Sequence, residues 1–469
     1  MPQSAPAVEH LAADYLVIGA GAMSMAFVDE IIHESPQSTV IVVERRATPG
    51  GHWNDAYDFV RLHQPALYYG VNSEPLGSGG SDLASKPELL DYYQRVRAKL
   101  EATGRAQFFF ECDFQGDGRF VSLVDPSLIY QVDVGKRLVD GTYGKITVPA
   151  TRPPKYAVSE GVNLVPINGL THQARDWARY VVIGAGKTGI DAVLYLLSTG
   201  VGPERITWIV SRDAWLLSRA LIQPDIMAYE MIAQLRGVIE ETSARDVFLR
   251  SEREGRFLRL DPSIWPTVFR CATVSPEELE ALRRIDHVVR RGRVQRIEPD
   301  RIVLDEGELA TDVETLHVDC TADGLKRRPQ VPVFAPGKIT LQPVFLCQPT
   351  FSAAAIAATT LRFRDDQARN QRMVPAPHPE RPWDYFGTSE VTIRNTAAWG
   401  LDLARRFRRS RLCFAFHFSR WALCVHVFHA ARLRGRALVK MPGFAQQLRD
   451  EEGGAEPALA RADGLVDAL

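Results

Sequence analysis

Glycines spaced to let a phosphate reach the backbone occur twice in this 469-residue chain. The first set is Gly19 and Gly21, with Ser24 where a third glycine would stand, and it is followed by an acid, Glu44, 25 residues after Gly19 (44 − 19). The second set, Gly184, Gly186 and Gly189, has full GxGxxG spacing and carries Lys187 and Thr188 inside it. In such a turn the first glycine makes the bend and the second lets a pyrophosphate approach. The helix that follows offers free N–H groups and the positive end of its dipole. An acid at the end of the next strand accepts hydrogen bonds from a ribose. A side chain as small as Ser24 still lets helix and strand pack closely. The first set therefore nominates Gly19, Gly21, Ser24, Glu44 and the adjacent Arg45 as contacts of one nucleotide. The second nominates Gly184, Gly186, Lys187, Thr188 and Gly189 as contacts of another.

The surrounding pattern supplies the elements such turns need. Residues 15–18 (YLVI) are an apolar run suited to a strand buried on both faces, a helix is predicted from about residue 22 to 34, and a second strand over 40–43. Around the second set a strand begins at Tyr180, a helix runs to about Gly200, and a strand follows at 206–210. A lone fingerprint is also compatible with a glycine turn in some other α/β protein. Two of them, 165 residues apart (184 − 19) and each between its strand and helix, predict an α/β chain with two Rossmann-like dinucleotide-binding domains. After residue 210 come Ser211 and Arg212, where an NAD-specific site places an acid. A hydroxyl and a guanidinium suit a 2′-phosphate and predict NADPH, with Asp213 as the competing acid.

Composition narrows the class. Hydrophobic content of 45%, charged content of 24% and a net charge of −1 fit a soluble globular protein and give no sign of a nucleic-acid partner. Six cysteines (Cys112, Cys271, Cys320, Cys347, Cys413, Cys424) show no CxxC pair and no metal-ligand spacing. They are expected as reduced thiols of a cytoplasmic protein without a metal, which disfavours a dithiol reductase. The opening MPQSAPAVEHLAAD has neither a basic start nor an apolar core, so no signal peptide is expected.

The stretch after Glu44 carries a family resemblance. GGHW at 50–53, followed within about ten residues by FVRLHQP at 59–65, resembles the GGxW region of the flavin-containing and Baeyer–Villiger monooxygenases. Paired fingerprints at this spacing resemble the same superfamily, and the match spans roughly residues 12–350. The resemblance implies FAD on the first fingerprint and NADPH on the second. It places Gly50, Gly51, His52 and Trp53 on the flavin side and Arg61, His63 and Gln64 near the isoalloxazine or nicotinamide. A flavin site needs a donor near N5 and cationic or dipolar help at the N1 and O2 edge, which Arg, His and Gln can supply. Ordinary hydrogen-bonded loop histidines are the other reading of His52 and His63. CTADG at 320–324 resembles the segment that crosses back to the flavin domain, giving Ala322 a backbone contact and Cys320 a packing role. Gln348, ahead of a helix expected near Ala353, would lie at the flavin pyrimidine edge. One departure stands out: the family's FxGxxxH motif before the second fingerprint is degraded here, with no Phe and Gly169 one residue too close to His172.

The fold expected is therefore α/β, two Rossmann-like domains with the second inserted in the first, plus a helical C-terminal region. Residues 12–175 and 325–373 would form the FAD domain and 176–324 the NADPH domain, with a helical insertion at 220–288 capping the substrate pocket. A surface helix is expected over 86–104, short strands over 108–148, a hinge over 151–169 and a stiff proline-rich linker over 374–384. Beyond it lie an Arg-rich run, 405–411, and an apolar run, 412–428, too short and too charged to span a bilayer. It is expected to pack on the body or at a homodimer contact rather than on a membrane, and the chain from Asp450 is expected to be disordered. The function implied is an NADPH-reduced FAD enzyme that transfers one oxygen from a flavin hydroperoxide to a small organic substrate. The alternatives are an NADPH-dependent dehydrogenase or reductase without oxygen transfer, and a non-catalytic flavin-binding protein.

Overall fold

The computed structural model describes residues 8–223, 226–321, 328–413 and 420–452. Strand β1 (Val8–Ile18) opens a sheet, and helix α1 (Ala22–Glu34) returns the chain to β2 (Val40–Val43), parallel to β1. Leu16, Val17 and all of β2 are buried, as strands covered on both faces require. Helix α2 (Lys86–Glu101) starts at a capping box between Ser85 and Glu88 with Pro87 in its first turn. It leads to β3 (Ala106–Phe109), parallel to β2. An antiparallel excursion through β4 (Cys112–Gly116) and β5 (Arg119–Ser122) delivers the long β6 (Ile129–Asp140), which lies parallel to β1.

The chain then builds a second sheet. After β7 (Ala157–Val158), which pairs with a later strand outside this sheet, come β8 (Leu164–Pro166), β9 (Arg179–Ile183), α3 (Lys187–Ser198) and β10 (Ile206–Ile209). There follow β11 (Ala214–Ser218), α4 (Met227–Glu240), α5 (Ala244–Arg253), β12 (Phe257–Leu258), β13 (Val268–Val274), α6 (Pro276–Leu282) and β14 (His287–Val289). A hairpin set, β15 (Val294–Ile297), β16 (Arg301–Leu304) and β17 (Gly307–Ala310), precedes β18 (Thr315–Asp319). Five of these strands form an all-parallel sheet in the order β14-β10-β9-β18-β8. The stretch expected to be a helical insertion carries α4, α5 and α6 but also β12 and β13, which flank β11 in a separate three-stranded sheet. The physical reason lies in VFRCATV, whose aromatic and β-branched residues suit the largely buried strand β13 better than a helix.

Strands β19 (Phe334–Ala335) and β20 (Lys338–Thr340) bring the chain back to the first sheet, β20 parallel to β6, giving the order β19-β20-β6-β1-β2-β3. Helix α7 (Pro349–Arg362) packs on α1 and carries a buried run, Ala353 to Ala358, in which every residue but Ile356 is an alanine, small enough to let the two helices approach. It starts four residues earlier than expected because Pro349 suits a first turn that needs no N–H.

The C-terminal region comprises α8 (Asp366–Asn370), α9 (Pro382–Ala398), α10 (Gly400–Phe407) and α11 (Arg420–Glu451). The proline-rich stretch is no free linker. Val374 is held at both N–H and C=O by the Asn395 side chain, at 3.0 and 2.7 Å, and Asn395 also donates to Val344 O at 2.8 Å. Two arginines of the Arg-rich run point inward. Arg406 makes a two-bond ion pair with buried Glu30 of α1 at 2.9 and 2.7 Å, and Arg411 donates to the carbonyls of Val71 and Tyr69, both at 2.7 Å. Helix α11 continues through Asp450, where disorder was expected, because residues 433–448 place an apolar stripe against α4 and α9. Residues 414–419 of the apolar run, and 453–469, lie outside the described residues. Among the described residues, no helix is long and apolar enough to cross a membrane.

Candidate active site

The turns after β1 and β9 open onto one cavity of about 1550 Å³. Gly21 and Gly186 are the N-caps of α1 and α3. Neither helix has a side-chain cap or an acid in its first turn, so the leading N–H groups of both are left for an anion. Gly19 and Gly184 bend the chain with φ of 88° and 122°, and a Cβ on Gly184 would meet Cys320 O at 2.8 Å. A Cβ on Gly189 would collide with Gly184 O, so that glycine serves helix–strand contact rather than the cavity. In the first fingerprint the clearance is supplied from the other side: Ser24 is fully buried, and a Cβ on Gly141, just after β6, would strike its Oγ.

Glu44 is buried and lines the cavity. Its Oε2 accepts from Ala20 N–H at 2.7 Å and its Oε1 from Arg46 N–H at 2.9 Å, so the acid also braces the glycine turn. Arg45 is not brought to the site. Its exposed side chain pairs with Asp113 at 3.1 Å, and the next residue, Arg46, lines the cavity while pairing with Glu44 and Asp55. Gly50 and Gly51 both have positive φ (116° and 58°) and lay the following turn on the fingerprint. A Cβ on Gly51 would meet Gly21 Cα at 2.9 Å. Gly51, His52 and Trp53 line the cavity, and Trp53 Nε1 donates to Tyr69 OH at 2.9 Å.

Arg61, His63 and Gln64 line the same cavity. Arg61 is exposed and donates to Leu83 O at 2.9 Å. His63 has a buried Nδ1 without a partner, and its carbonyl accepts from Arg219 Nε at 3.1 Å. Burial, with Lys187 and Arg219 nearby, pushes the His63 imidazole down to about 3. Burial and Arg46 push His52 down to about 4. Both rings are neutral at pH 7, so His63 offers a hydrogen bond and not the cation that a flavin edge could use.

On the second fingerprint Lys187 and Tyr57 OH share the carboxylate of Asp191. Thr188, Ser211 and Arg212 line the cavity, and Arg212 donates to Glu380 Oε1 at 3.3 Å. Asp213, the competing acid, is engaged by Arg290 at 2.9 and 3.2 Å and is not among the lining residues. Gln348, the N-cap of α7, is buried between two lining residues with neither side-chain amide atom paired. Ala322 lies outside the described residues. Cys320 is buried and its thiol is pushed well up by burial, which leaves it a packing residue.

The expectation of six reduced thiols is corrected. Cys271 of β13 and Cys347, two residues before α7, form a disulfide on the cavity wall, joining segments 76 residues apart that no CxxC spacing could reveal. Sequence reasoning also missed Arg46, Lys145, Lys155 and Arg328. Eleven lysines and arginines against three glutamates line the cavity among the described residues, an excess that suits ligands carrying several phosphates.

This architecture defines a mixed α/β protein whose fold is similar to that of the flavin monooxygenases. The solved polycyclic ketone monooxygenase of the fungus Thermothelomyces thermophila superposes with a TM-score of 0.50, covering 97% of this chain and 90% of that one. At 12% identity the likeness speaks for the fold alone. No protein-family model matches the chain. Uncharacterized proteins of Mycobacterium tuberculosis and Mycobacterium bovis are each 45% identical over 415 residues, 85% of this chain and 76% of their own length. The chain belongs to the family of these mycobacterial proteins.

Proposed function

We propose that the chain is a cytoplasmic FAD- and NADPH-dependent oxidoreductase of the monooxygenase type, acting on a small organic substrate. FAD would sit on the first fingerprint and NADPH on the second. The observation that carries this reading is the pair of uncapped helix N-termini, at Gly21 and Gly186, opening onto one basic cavity. Both cofactors fit the residues present. Unpaired His63 Nδ1 and the unpaired Gln348 amide are buried polar atoms that call for a partner. Bound FAD would supply a two-electron acceptor for NADPH hydride and a centre for reaction with O2. The chain's own part is to hold and orient: Glu44 at the adenosine ribose, the α1 N-terminus and Arg46 at the phosphates, and neutral His63 with Gln64 as hydrogen-bonding groups. Lys187, fixed by Asp191, and the α3 N-terminus would hold the second pyrophosphate, with Ser211 and Arg212 at the 2′-phosphate. The NADPH-dependent reductase reading retains one observation in its favour. The segment in place of FxGxxxH is a short 3-10 turn, Ile167–His172, and its His172 side chain is exposed and faces Asp58 at 3.8 Å.

The test is a purification followed by an absorbance spectrum, anaerobic NADPH addition and then air. The expected outcome is a yellow protein bleached by NADPH that yields oxygenated product from sulfide, amine or ketone panels. Stoichiometric hydrogen peroxide with no product across all panels would make the reductase the correct reading. A colourless protein that takes up no FAD would remove both.

A further inference from the structure

One end of the cavity is walled by three helices, each contributing a single face. From α4 come Met231, Leu235 and Val238, from α9 Ser389 and Ile393, and from α11 Met441 together with Arg434 one heptad before it. The wall these helices form is thus mostly apolar, with hydroxyls from α9 and the Gln234 amide and Glu230 from α4. The other cavity arginines that are not exposed already have partners: Arg46 with Glu44, Arg212 and Arg270 with Glu380, Arg256 with Glu230, and Arg328 with Tyr143 O. Arg434 is half-buried on the cavity wall, and no described residue accepts a hydrogen bond from it or pairs with it. Burial alone holds its guanidinium below the ordinary arginine value. Glu230, the acid on the facing helix α4, is committed to Arg256 at 2.6 Å.

A guanidinium that faces the cavity with no counter-charge among the described residues is free to pair with an anion that enters with a ligand. We propose that Arg434 is the anchor for the carboxylate of an apolar organic acid bound in this end of the cavity. One guanidinium matches one monoanion in charge and offers the planar fork a carboxylate accepts in two bonds, whereas a phosphate dianion would leave a charge unmatched. The apolar faces of α4, α9 and α11 receive the hydrocarbon body. This assigns a substrate class to the cavity proposed above as an oxidoreductase site and rests on that reading.

The experiment is calorimetric titration of the full-length, FAD-supplemented protein with hexanoate, decanoate and 4-phenylbutanoate, each against its own primary amide. Wild type, Arg434→Met and Arg434→Lys are compared. The expected result is at least one acid binding about ten- to hundredfold tighter than its amide, a preference erased in Arg434→Met and partly kept in Arg434→Lys. Amide affinity should be unchanged in all three, which separates anchoring from misfolding. The proposal is overturned if no acid outbinds its amide, or if Arg434→Met retains the preference. Because turnover is not read, absence of any acid preference in a wild-type protein that still bleaches with NADPH rejects the anchor alone. Failure to bleach rejects the oxidoreductase reading and leaves the binding result standing.

Discussion

Gly21 has φ of −77°, which any residue adopts, and a Cβ there would make only an ordinary 3.8 Å contact with Gly51 Cα. Its side-chain position is therefore open to the protein but lies on the path of a pyrophosphate. Gly21→Val should fold with a melting temperature near that of the wild type and lose FAD; stoichiometric FAD in the purified variant would refute the assignment of the first fingerprint. Arg212 is the second test. A charge-assisted bond to a 2′-phosphate is worth roughly 1.5–3 kcal/mol, or about a ten- to hundredfold preference for NADPH over NADH. Arg212→Ala should weaken NADPH by about that factor and leave NADH nearly untouched, read as separate KM values. Equal losses would mean that the bond to Glu380 makes Arg212 a structural residue. At this scale the glycines and Glu44 were legible because spacing alone specifies them. Arg45 and Arg46 were not, because neighbours at a strand end face opposite ways and the sequence does not say which faces in.

Among the elements, α10 docks the C-terminal region onto α1 through Arg406 and Glu30, whose carboxyl burial pushes up and the Arg406 charge pulls back down. Removing one partner of a buried pair strands the other. Arg406→Ala should cost about 3–5 kcal/mol by denaturant unfolding, and Glu30→Gln in the same chain should recover part of it. A loss within 0.5 kcal/mol of zero, about what a surface change gives, would show that the pair is not formed in solution. The run 405–411 read as a charged flank because a count of arginines carries no direction. Only the fold shows that Arg406 and Arg411 reach inward while Arg405, Arg408 and Arg409 stay exposed. Likewise β13 sat unseen within helical periodicity, and the proline-rich stretch looked like a spacer until Asn395 clasped Val374.

Over the whole molecule, three of the described histidines line the cavity and are held neutral mainly by burial, His52 near 4, His63 near 3 and His378 near 4, and burial lowers His317 of β18 as well. Their folded values lie below the unfolded value of about 6.5, so the stability they contribute is full above that pH and is lost as pH falls from there towards 4. With three protons taken up by the unfolded chain only, stability should drop by about 4 kcal/mol per pH unit between roughly pH 6 and 5. Urea midpoints across that window test it, and His378→Phe should reduce the slope by about a third. A flat profile would mean that the three rings titrate normally in the folded state.

The first sheet is assembled from two stretches of sequence: β6 ends at Asp140, and its neighbour β20 begins only at Lys338, with the second sheet's strands between them. On a ribosome adding roughly 5–20 residues per second, those 198 residues (338 − 140) take about 10–40 s to emerge. Until Lys338 emerges, β6 has an unpaired edge at Leu138–Asp140 and α1 lacks the helix, α7, that covers it, while the second sheet has all its strands once β18 ends at Asp319 and can close. Synthesis thus imposes an order opposite to that of the sequence, the later-encoded sheet maturing before the earlier one. A chain stopped near residue 320 should be caught with that edge and helix face bare, and should aggregate where the full chain does not.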